Sequence, residues 1–165
     1  MSIQPAPILS FNQIEAQREK LGIIVCTSGG FDPIHPGHLS CIAASKQFGD
    51  TVIVIVNGDQ FLTTKKGKPF QNLETRCKIV SYVRGVDIVV PFEIADDQTV
   101  REALKLLRPH VFTKGGDRCS PETIPEWDIC QELNIRVETG VGEPKNWSSS
   151  DFLKNWSENT PEKTI

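Results

Sequence analysis

The sequence predicts an α/β fold in which a doubly wound, five-stranded parallel sheet lies between two layers of helices. Apolar segments of strand length alternate along the chain with amphipathic segments of helical period, a pattern typical of βαβ units with right-handed crossovers. The β-branched run at residues 51–56 contains no charge, as expected for a central strand buried on both faces. We therefore expect the functional site at the carboxyl ends of the strands.

The first elements lead up to this central strand. Residues 12–20 have the charged, aliphatic-spaced pattern of a short helix, and Gly22 suits its end. An apolar strand follows at residues 23–26. Residues 37–48 place apolar side chains on one helical face and stop at Gly49, so we predict a helix there.

The middle of the chain continues the alternation. Residues 74–84 recur at helical spacing, and residues 86–90 supply a third strand that we expect Pro91 to end. Residues 98–107 form a clear amphipathic helix, which ends before Pro109.

The last elements complete a Rossmann-like, three-layer α/β/α domain. We predict a fourth strand at residues 111–113 and a helix at 125–133. A short fifth strand follows at residues 135–137, and a final helix covers residues 148–156.

The composition bounds the class of protein. A chain of 165 residues is the size of one domain, and we expect flexible ends at residues 1–10 and 157–165. With 38% hydrophobic and 24% charged residues it is typical of a globular protein, and no apolar run approaches the ~20 residues of a membrane span. A net charge of −3 gives no general attraction to nucleic acid or to anionic membranes.

The cysteines and the N-terminus predict a cytoplasmic protein. Five cysteines without a Cys-x-x-Cys pair fit a reducing compartment better than a disulfide framework. Cys119 and Cys130 match no zinc-binding spacing, so we predict no metal site built by the protein alone. Residues 1–10 lack the basic start and the apolar core of a secretory signal.

Residues 27–39, Thr-Ser-Gly-Gly-Phe-Asp-Pro-Ile-His-Pro-Gly-His-Leu, are the strongest candidate for the functional site. They join the first strand to a helix, whose unpaired N–H groups and positive dipole end attract anions. Gly29 and Gly30 let the backbone approach a ligand closely. His35 and His38 are three residues apart, so both imidazoles face one side of the first helical turn. This arrangement suits a triphosphate; the alternative is two surface histidines on an ordinary strand-to-helix turn.

The His-x-Gly-His spacing within Gly-Phe-Asp-x-x-His resembles the signature of the nucleotidyltransferase superfamily, which includes cytidylyltransferases and several adenylyltransferases. The resemblance implies in-line attack by a substrate phosphate on the α-phosphorus of a nucleoside triphosphate bound with Mg²⁺. Such a reaction needs alignment and charge neutralisation, which His35 and His38 would supply as catalytic donors to the triphosphate. Asp32 is expected either to orient the loop as a turn residue or to contact metal or substrate. The nucleotide contacts implied in this loop are Ser28, Gly29, Gly30, Phe31, Gly37 and His38.

A second motif, at residues 63–69, carries the only dense basic patch of this acidic sequence. It is either a phosphate clamp or a solvated charged loop, and we favour the clamp. Its Lys-x-Gly-Lys-Pro form resembles the lysine loop of ADP-heptose synthases, a branch of the same superfamily. We expect catalytic roles for Lys66 and Lys68 and a substrate contact from Lys65.

Further matches strengthen the resemblance to ADP-heptose synthases. There, too, an arginine follows at the next helix, here Arg76, and a Val-Asn-x-Asp sequence, here with Asn57, ends the second strand. The sequence Lys-Gly-Gly-Asp after the fourth strand is the most discriminating match. The resemblance implies nucleotide contacts from Lys114 and Gly116, and substrate contacts from Asn57, Arg76 and Asp117. The carboxylate of Asp117 could accept hydrogen bonds from hydroxyl groups. The alternative for the Lys-Gly-Gly-Asp segment is a simple turn.

A last motif, Lys-Asn-Trp-Ser-Ser-Ser at residues 145–150, precedes the final helix. Serine hydroxyls and free amides at a helix N-terminus can cap the helix, bind phosphates, or do both. The segment aligns with Gly-Ile-Ser-[Ser/Thr]-[Ser/Thr] of the family, but Asn146 replaces the glycine and Trp147 the aliphatic residue. The nucleotide contacts expected here are Trp147, Ser148, Ser149 and Ser150.

These motifs predict an enzyme that transfers a nucleoside monophosphate, preferably AMP from ATP, to a sugar phosphate such as heptose 1-phosphate and releases pyrophosphate. The second hypothesis is a cytidylyltransferase that uses CTP and a polyol or alkyl phosphate such as glycerol 3-phosphate. A third, of another class, is a nucleotide-binding sensor without turnover. The resemblance also implies a homodimer, and we expect neither nucleic acid nor membrane as a partner.

Overall fold

The computed structural model describes residues 4–116 and 118–159, which form one parallel sheet with helices on both faces. The five strands are β1 (Ile24–Gly29), β2 (Thr51–Asn57), β3 (Ile88–Phe92), β4 (Val111–Thr113) and β5 (Arg136–Glu138). They lie in the order β3-β2-β1-β4-β5, and every neighbouring pair is parallel. The predicted doubly wound α/β fold is confirmed.

Seven α-helices lie within the described residues. They are α1 (Phe11–Glu15), α2 (Pro36–Ser45), α3 (Asp59–Lys66), α4 (Leu73–Ser81), α5 (Arg101–Leu107), α6 (Trp127–Glu132) and α7 (Ser149–Glu158). Short 3₁₀ turns occupy Arg18–Lys20, Lys46–Phe48 and Pro121–Thr123. Each predicted helix is present with shifted ends, and none of the described helices has the length and apolar character needed to cross a membrane.

The β-branched strands build two separate cores because successive side chains point to opposite faces of the sheet. Ile53 and Ile55 of β2 pack with α1, α5 and α6 on one face. Val52, Val54 and Val56 pack with α2 and α4 on the other. The prediction that this strand is buried on both faces is therefore confirmed.

Helix α3 covers most of the basic segment that we expected to be a loop. Its N-terminus is capped from a distance: the carboxylate of Glu93, beyond β3, accepts hydrogen bonds from the backbone N–H groups of Asp59 (2.8 Å) and Gln60 (3.1 Å). Gly67 ends the helix with a φ of 93°, in the left-handed region that favours glycine. Because the cap comes from another part of the chain, no local pattern predicts this helix.

Pro91 lies inside β3 and does not end it, contrary to the prediction. The reason is its position at an edge strand. The N–H and C=O of Val89 point away from β2, and backbone groups two residues further along a strand point the same way. The nitrogen of Pro91 therefore faces away from β2, where a missing donor breaks no ladder hydrogen bond.

Residues 6–9 pack along β3, although we expected a flexible lead-in there. The N–H of Leu9 donates to the carbonyl of Val89 (2.8 Å), and the N–H of Val89 donates to the carbonyl of Pro7 (3.0 Å). The N–H of Ala6 donates to the carbonyl of Ser81 (2.7 Å). These bonds satisfy part of the open sheet edge. At the other end of the chain, α7 extends to Glu158, so residues 157 and 158 of the expected flexible tail are helical. Residues 1–3 and 160–165 lie outside the described part of the chain.

The strand order places a crevice between β1 and β4. The chain leaves β1 towards β2 on one side, and it returns later to add β4 on the other. At such a switch point the loops after the two strands diverge to opposite faces and leave a space at the carboxyl ends of the strands.

Candidate active site

A cleft of about 370 Å³ occupies this space. Its walls are the loop from β1 to α2, the glycine-rich segment after β4, and the segment that leads into α7. The predicted site residues that line it are Ser28, Gly29, Gly30, Phe31, His35, Gly37, His38, Asn57, Lys65, Lys114, Gly116, Trp147, Ser148, Ser149 and Ser150. The fold thus brings motifs from the two halves of the sequence into one cavity.

His35 and His38 cap the start of α2 reciprocally. The N–H of His38 donates to Nδ1 of His35 (3.4 Å), and the N–H of His35 donates to Nδ1 of His38 (3.2 Å). The rings are stacked, with centroids 3.6 Å apart and planes 18° apart. Since each Nδ1 accepts a backbone hydrogen bond, each neutral ring carries its proton on Nε2. Each histidine can therefore offer an Nε2–H donor to a ligand in the cleft.

Both imidazoles are held neutral by their surroundings. Burial, together with the nearby His35 and Lys65, lowers the pKa of His38 to about 3. Burial also lowers the pKa of His35, although a backbone hydrogen bond opposes that shift. At neutral pH the pair therefore supplies hydrogen bonds without charge, and positive charge must come from other residues.

Close contacts fix the orientation of this pair. The ring of Phe31 meets His38 edge-on, with centroids 4.9 Å apart. Phe31 has a φ of 53°, an uncommon conformation outside glycine. A Cβ atom at Gly37 would lie 3.0 Å from the His35 ring, closer than an ordinary van der Waals contact, so the absence of a side chain lets the helix start approach this ring.

The serines before and within α7 link that helix to the histidine loop. Ser148 is the N-cap, and its Oγ accepts a hydrogen bond from the N–H of Asp151 (3.3 Å), so the predicted capping role is confirmed. The Oγ of Ser149 donates to the carbonyl of Pro33 (2.7 Å). The N-terminus of α7 is thereby fixed at the cleft beside that of α2.

Four cations line the cleft: Lys65, Lys114, Arg118 and Lys145. Burial lowers the pKa of Lys65, and the charges of Arg118, Lys66, Lys145 and Lys114 lower it further. Positive groups this close destabilise one another unless an anion lies between them, so the cluster is suited to phosphate binding. This local charge contrasts with the net charge of −3 of the chain.

Lys66 does not reach this cleft. Its Nζ lies 2.8 Å from Oδ2 of Asp32 and 2.5 Å from the backbone oxygen of the same residue. Asp32 is 1% exposed and also accepts hydrogen bonds from the N–H groups of Phe70 and Gln71, both at 2.7 Å. Of the two roles predicted for Asp32, the structure shows the turn residue, with Lys66 as its counter-ion.

Lys68 also lies outside the cleft. It lines a separate groove beside α7, together with Phe70 and Trp156. Successive residues of a helix point about 100° apart. When Lys66 turns to Asp32, its neighbour Lys65 can face the cleft. Of the three lysines of the predicted clamp, Lys65 is the one that lines the cleft.

Arg76, predicted to contact substrate, is fully buried below the cleft. It donates to the backbone carbonyls of Gln71 (2.8 Å), Gly30 (2.8 Å) and Asn57 (2.5 Å). It also pairs with the carboxylate of Asp59 at 2.8 Å. A guanidinium has five N–H donors in a rigid fork, so one side chain can hold the ends of β1 and β2 and the start of α3 together. The side chain therefore acts through the backbone of the site and does not itself face the cleft.

Several cleft residues were missed by the sequence analysis. Arg118 directly follows the Lys-Gly-Gly-Asp motif, and this adjacency could have identified it. Gln98 and Thr99 follow the third strand, whose carboxyl end the fold class marks as a site. Glu126 carries no local signal, because only the fold brings it to Lys114.

Asp117 lies outside the described residues. Among the residues that are described, no group of three or more His, Cys, Asp or Glu side chains is placed to hold a metal ion.

A doubly wound sheet with paired histidines at the N-terminus of α2 and a basic cleft defines an α/β domain of the nucleotidyltransferase class. The chain belongs to the cytidylyltransferase-like family, which matches residues 26–152. The superfamily resemblance seen in the motifs is therefore confirmed.

Similar curated proteins carry the name bifunctional protein HldE. One from Sulfurimonas denitrificans is 38% identical over 140 residues, which cover 81% of this chain and 28% of that protein. Another, from Methylococcus capsulatus, is 41% identical over 116 residues, or 69% of this chain and 24% of the relative. The chain thus spans about a quarter of the length of the curated relatives it matches.

Solved structures share the fold at low sequence identity. A lipopolysaccharide core biosynthesis protein from Thermoplasma volcanium has a TM-score of 0.61 at 20% identity, covering 74% of this chain and 98% of that one. A pantoate-beta-alanine ligase from Francisella tularensis has a TM-score of 0.62 at 16% identity, and the match covers 90% of this chain and 73% of the ligase chain. These structures support the architecture alone.

Proposed function

We propose that the protein transfers a nucleoside monophosphate from a nucleoside triphosphate to the phosphate group of a phosphorylated acceptor and releases pyrophosphate. The observation that carries this proposal is the stacked His35–His38 pair at the N-terminus of α2, which faces the same cleft as Lys65, Lys114 and Arg118. The cleft thus combines directional donors with concentrated positive charge, and phosphoryl chemistry needs both.

The geometry supports in-line displacement without a covalent enzyme intermediate. An oxygen of the acceptor phosphate forms a bond to the α-phosphorus while the bond from the α-phosphorus to the bridging oxygen breaks, and pyrophosphate leaves with that electron pair. The Nε2–H groups of His35 and His38 would donate to oxygens on which negative charge grows during this step. Their neutrality suits the task, because the donors need no proton transfer to act.

The N-termini of α2 and α7 would orient the triphosphate. Helix N-termini bind phosphates through unpaired N–H groups and the positive end of the helix dipole. The hydrogen bond from Ser149 to Pro33 holds the two helix starts in a fixed relation. A preorganised cradle of this kind lowers the entropic cost of aligning the reacting groups.

The cations would hold the remaining phosphates. Lys65 projects from α3 after β2, whereas Lys114 and Arg118 belong to the segment after β4. Charges from both sides of the cleft can neutralise a triphosphate and an acceptor phosphate that would otherwise repel each other. Mg²⁺ accompanying the triphosphate would share this role, with phosphate oxygens as its main ligands.

We assign ATP and a sugar phosphate such as heptose 1-phosphate as the preferred substrate pair. The Lys-Gly-Gly-Asp motif, the lysine segment and Asn57 resemble ADP-heptose synthases, and the similarity to proteins named bifunctional protein HldE supports the same branch. CTP with a polyol phosphate remains the second candidate, because Asn146 and Trp147 depart from the family pattern at the entrance to α7. We also propose that the protein acts in the cytoplasm and forms a homodimer.

A pyrophosphate-release screen tests this proposal. ATP and CTP would each be incubated with Mg²⁺ and a panel of sugar and polyol phosphates. Release that requires both a triphosphate and an acceptor supports transfer. Tight triphosphate binding without release across the panel would favour the sensor hypothesis instead.

A further inference from the structure

A buried ion pair joins Lys114 to Glu126 at the wall of the cleft. The Nζ atom of Lys114 lies 3.2 Å from Oε2 of Glu126, and the two side chains are 11% and 5% exposed. Lys114 follows β4 in the glycine-rich segment, whereas Glu126 is the residue before α6. Both residues line the cleft. The pair therefore links two segments that the sequence separates.

Glu126 is anchored by its other oxygen. Oε1 accepts a hydrogen bond from the N–H of Val100 at the start of α5, at 3.2 Å. Oε2 has no hydrogen-bond partner among the described residues and is shielded from solvent. Within residues 4–116 and 118–159, the ammonium of Lys114 is the one positive group within ion-pair distance of this oxygen. A buried carboxylate oxygen costs free energy unless a charge compensates it, so Oε2 is committed to Lys114.

The charged form of Lys114 is favoured by two neighbouring groups, Glu126 and an aromatic ring. Its Nζ lies over the ring of Phe112, 4.5 Å from the centroid, which gives a second favourable contact to a cation. Burial lowers the pKa of Lys114, and the negative charge of Glu126 opposes that shift. In the part of the chain that the structure describes, the other titratable or charged groups that act on Lys114 are Arg118, Cys26, Cys41, Cys130 and Lys65. Arg118 and Lys65 both repel it, so Glu126 is the principal group that favours the ammonium form.

We propose that Glu126 is a positioning residue that keeps the Lys114 ammonium charged and directed into the cleft for the phosphates of the substrates. This inference rests on the proposed nucleotidyl transfer for its kinetic consequence, although the state of Lys114 can be measured without any substrate. A neutral amine would still reach a phosphate, but it would lose the attraction between opposite charges that holds and neutralises the anion.

The contact with Val100 gives Glu126 a second consequence. The segment before α5 carries Gln98 and Thr99, which line the cleft. The carboxylate of Glu126 therefore holds both Lys114 and the backbone at the start of α5. A substitution that keeps the shape of the side chain but removes its charge separates these two effects.

Glu126→Gln is such a substitution, because its amide oxygen can still accept from Val100. Glu122→Gln is the matched control: it removes a carboxylate that is fully exposed, in the 3₁₀ turn before α6. Glu126→Asp restores the charge on a shorter side chain and serves as the rescue variant. Thermal unfolding of all three variants would establish that they are folded.

The first measurement follows the Lys114 side chain by NMR in ligand-free protein with isotope-labelled lysine, assigned with Lys114→Arg. We expect the Lys114 titration midpoint to fall by about one pH unit or more in Glu126→Gln, which is a tenfold change in the charged-to-neutral ratio. Glu122→Gln should leave the midpoint unchanged, and Glu126→Asp should recover part of the shift. Equal midpoints in wild type and Glu126→Gln would overturn the proposal, whatever reaction the protein catalyses.

The second measurement is the pH dependence of ATP binding. We expect Glu126→Gln to bind ATP several-fold more weakly at pH 8.5 and to approach wild-type affinity at pH 6.5, because acid restores the ammonium. A purely structural role for Glu126 predicts an equal loss at both pH values, and that result would contradict the proposal. If Lys114 titrates as expected but no pyrophosphate is released by the wild type, the proposed reaction fails while the role of Glu126 in holding the charge stands.

Discussion

Lys66 forms a 2.8 Å ion pair with Asp32, and this contact sets which lysine of α3 faces the cleft. Asp32 is buried and also holds the backbone of Phe70 and Gln71. The histidine loop, the end of α3 and the segment before α4 are thereby joined at one carboxylate. Lys65 is left facing the cleft, where burial lowers its pKa.

The three lysines of this segment should therefore behave differently when each is changed to Met. Lys65→Met should weaken ATP binding by about tenfold or more, because it removes a charge from the cleft. Lys68→Met should change ATP binding little, because Lys68 lines another groove. Isothermal titration of the three variants with ATP and Mg²⁺ checks this order, and an equal loss for Lys65→Met and Lys68→Met would contradict it.

Lys66→Met should act on stability instead. The change leaves Asp32 buried without its counter-ion, although two backbone donors remain, and we expect a loss of about 1–3 kcal/mol in the free energy of unfolding. Urea unfolding measures this. A Lys66→Met variant that is as stable as wild type but binds ATP poorly would contradict this prediction and indicate that Lys66 contacts the phosphates.

The histidine pair predicts a pH dependence of stability. The unfolded chain takes up a proton at each histidine near pH 6.5, whereas folded His38 does not until about pH 3. The folded state thus binds fewer protons, so the free energy of unfolding should fall as the pH drops between these values and be insensitive to His38 above them. His38→Asn should flatten part of this slope in urea unfolding from pH 7 to pH 4; an unchanged slope would show that His38 titrates normally.

The serines at the start of α7 should show two separable effects. Ser148→Ala removes the N-cap and should cost about 1 kcal/mol of stability. Changing Ser149 to Ala as well removes the bond to Pro33 and should raise the KM for the triphosphate, because the two helix starts lose their fixed relation. Steady-state kinetics and urea unfolding of both variants distinguish these effects. A stability loss with unchanged kinetics would reduce the motif to a helix cap.

The fold was predictable because its signals are local. The β-branched run of β2 and the amphipathic pattern of α5 are each visible in a short window, and their alternation fixes the class of fold. Helix α3 was missed because its cap, Glu93, lies beyond another strand. Pro91 was wrongly predicted to end β3. A proline is tolerated inside this strand because β3 lies at the edge of the sheet, which is a property of the assembled sheet and not of the local sequence.

The site was predictable in part for the same reason. The histidine and glycine motifs act through backbone turns that their own residues encode, so the sequence identifies them. The roles of Lys66 and Arg76 depend on partners that are distant in the sequence. Lys66 pairs with Asp32, and Arg76 donates to backbone carbonyls at the ends of β1 and β2. A charged residue in a motif can therefore be assigned to substrate or to scaffold only when its buried partners are known.

The choice of base gives a further prediction. A site that hydrogen-bonds one base leaves buried polar groups unpaired with another, at a cost of about 1–3 kcal/mol for each group. We therefore expect ATP to bind at least about tenfold more tightly than CTP in the presence of Mg²⁺. Titration with both nucleotides measures the ratio. A tenfold preference for CTP would overturn the adenylyl assignment and favour the cytidylyltransferase hypothesis.

The most direct test of the account is pyrophosphate release by His35→Asn and His38→Asn. Asparagine can keep an oxygen near the position of Nδ1, and it caps helices well, but it has no donor at the position of Nε2–H. We expect folded proteins whose kcat is lower by about 10²-fold or more, because each lost donor stabilises charge that grows in the transition state. Wild-type pyrophosphate release from the double variant would contradict the proposal that these histidines catalyse nucleotidyl transfer.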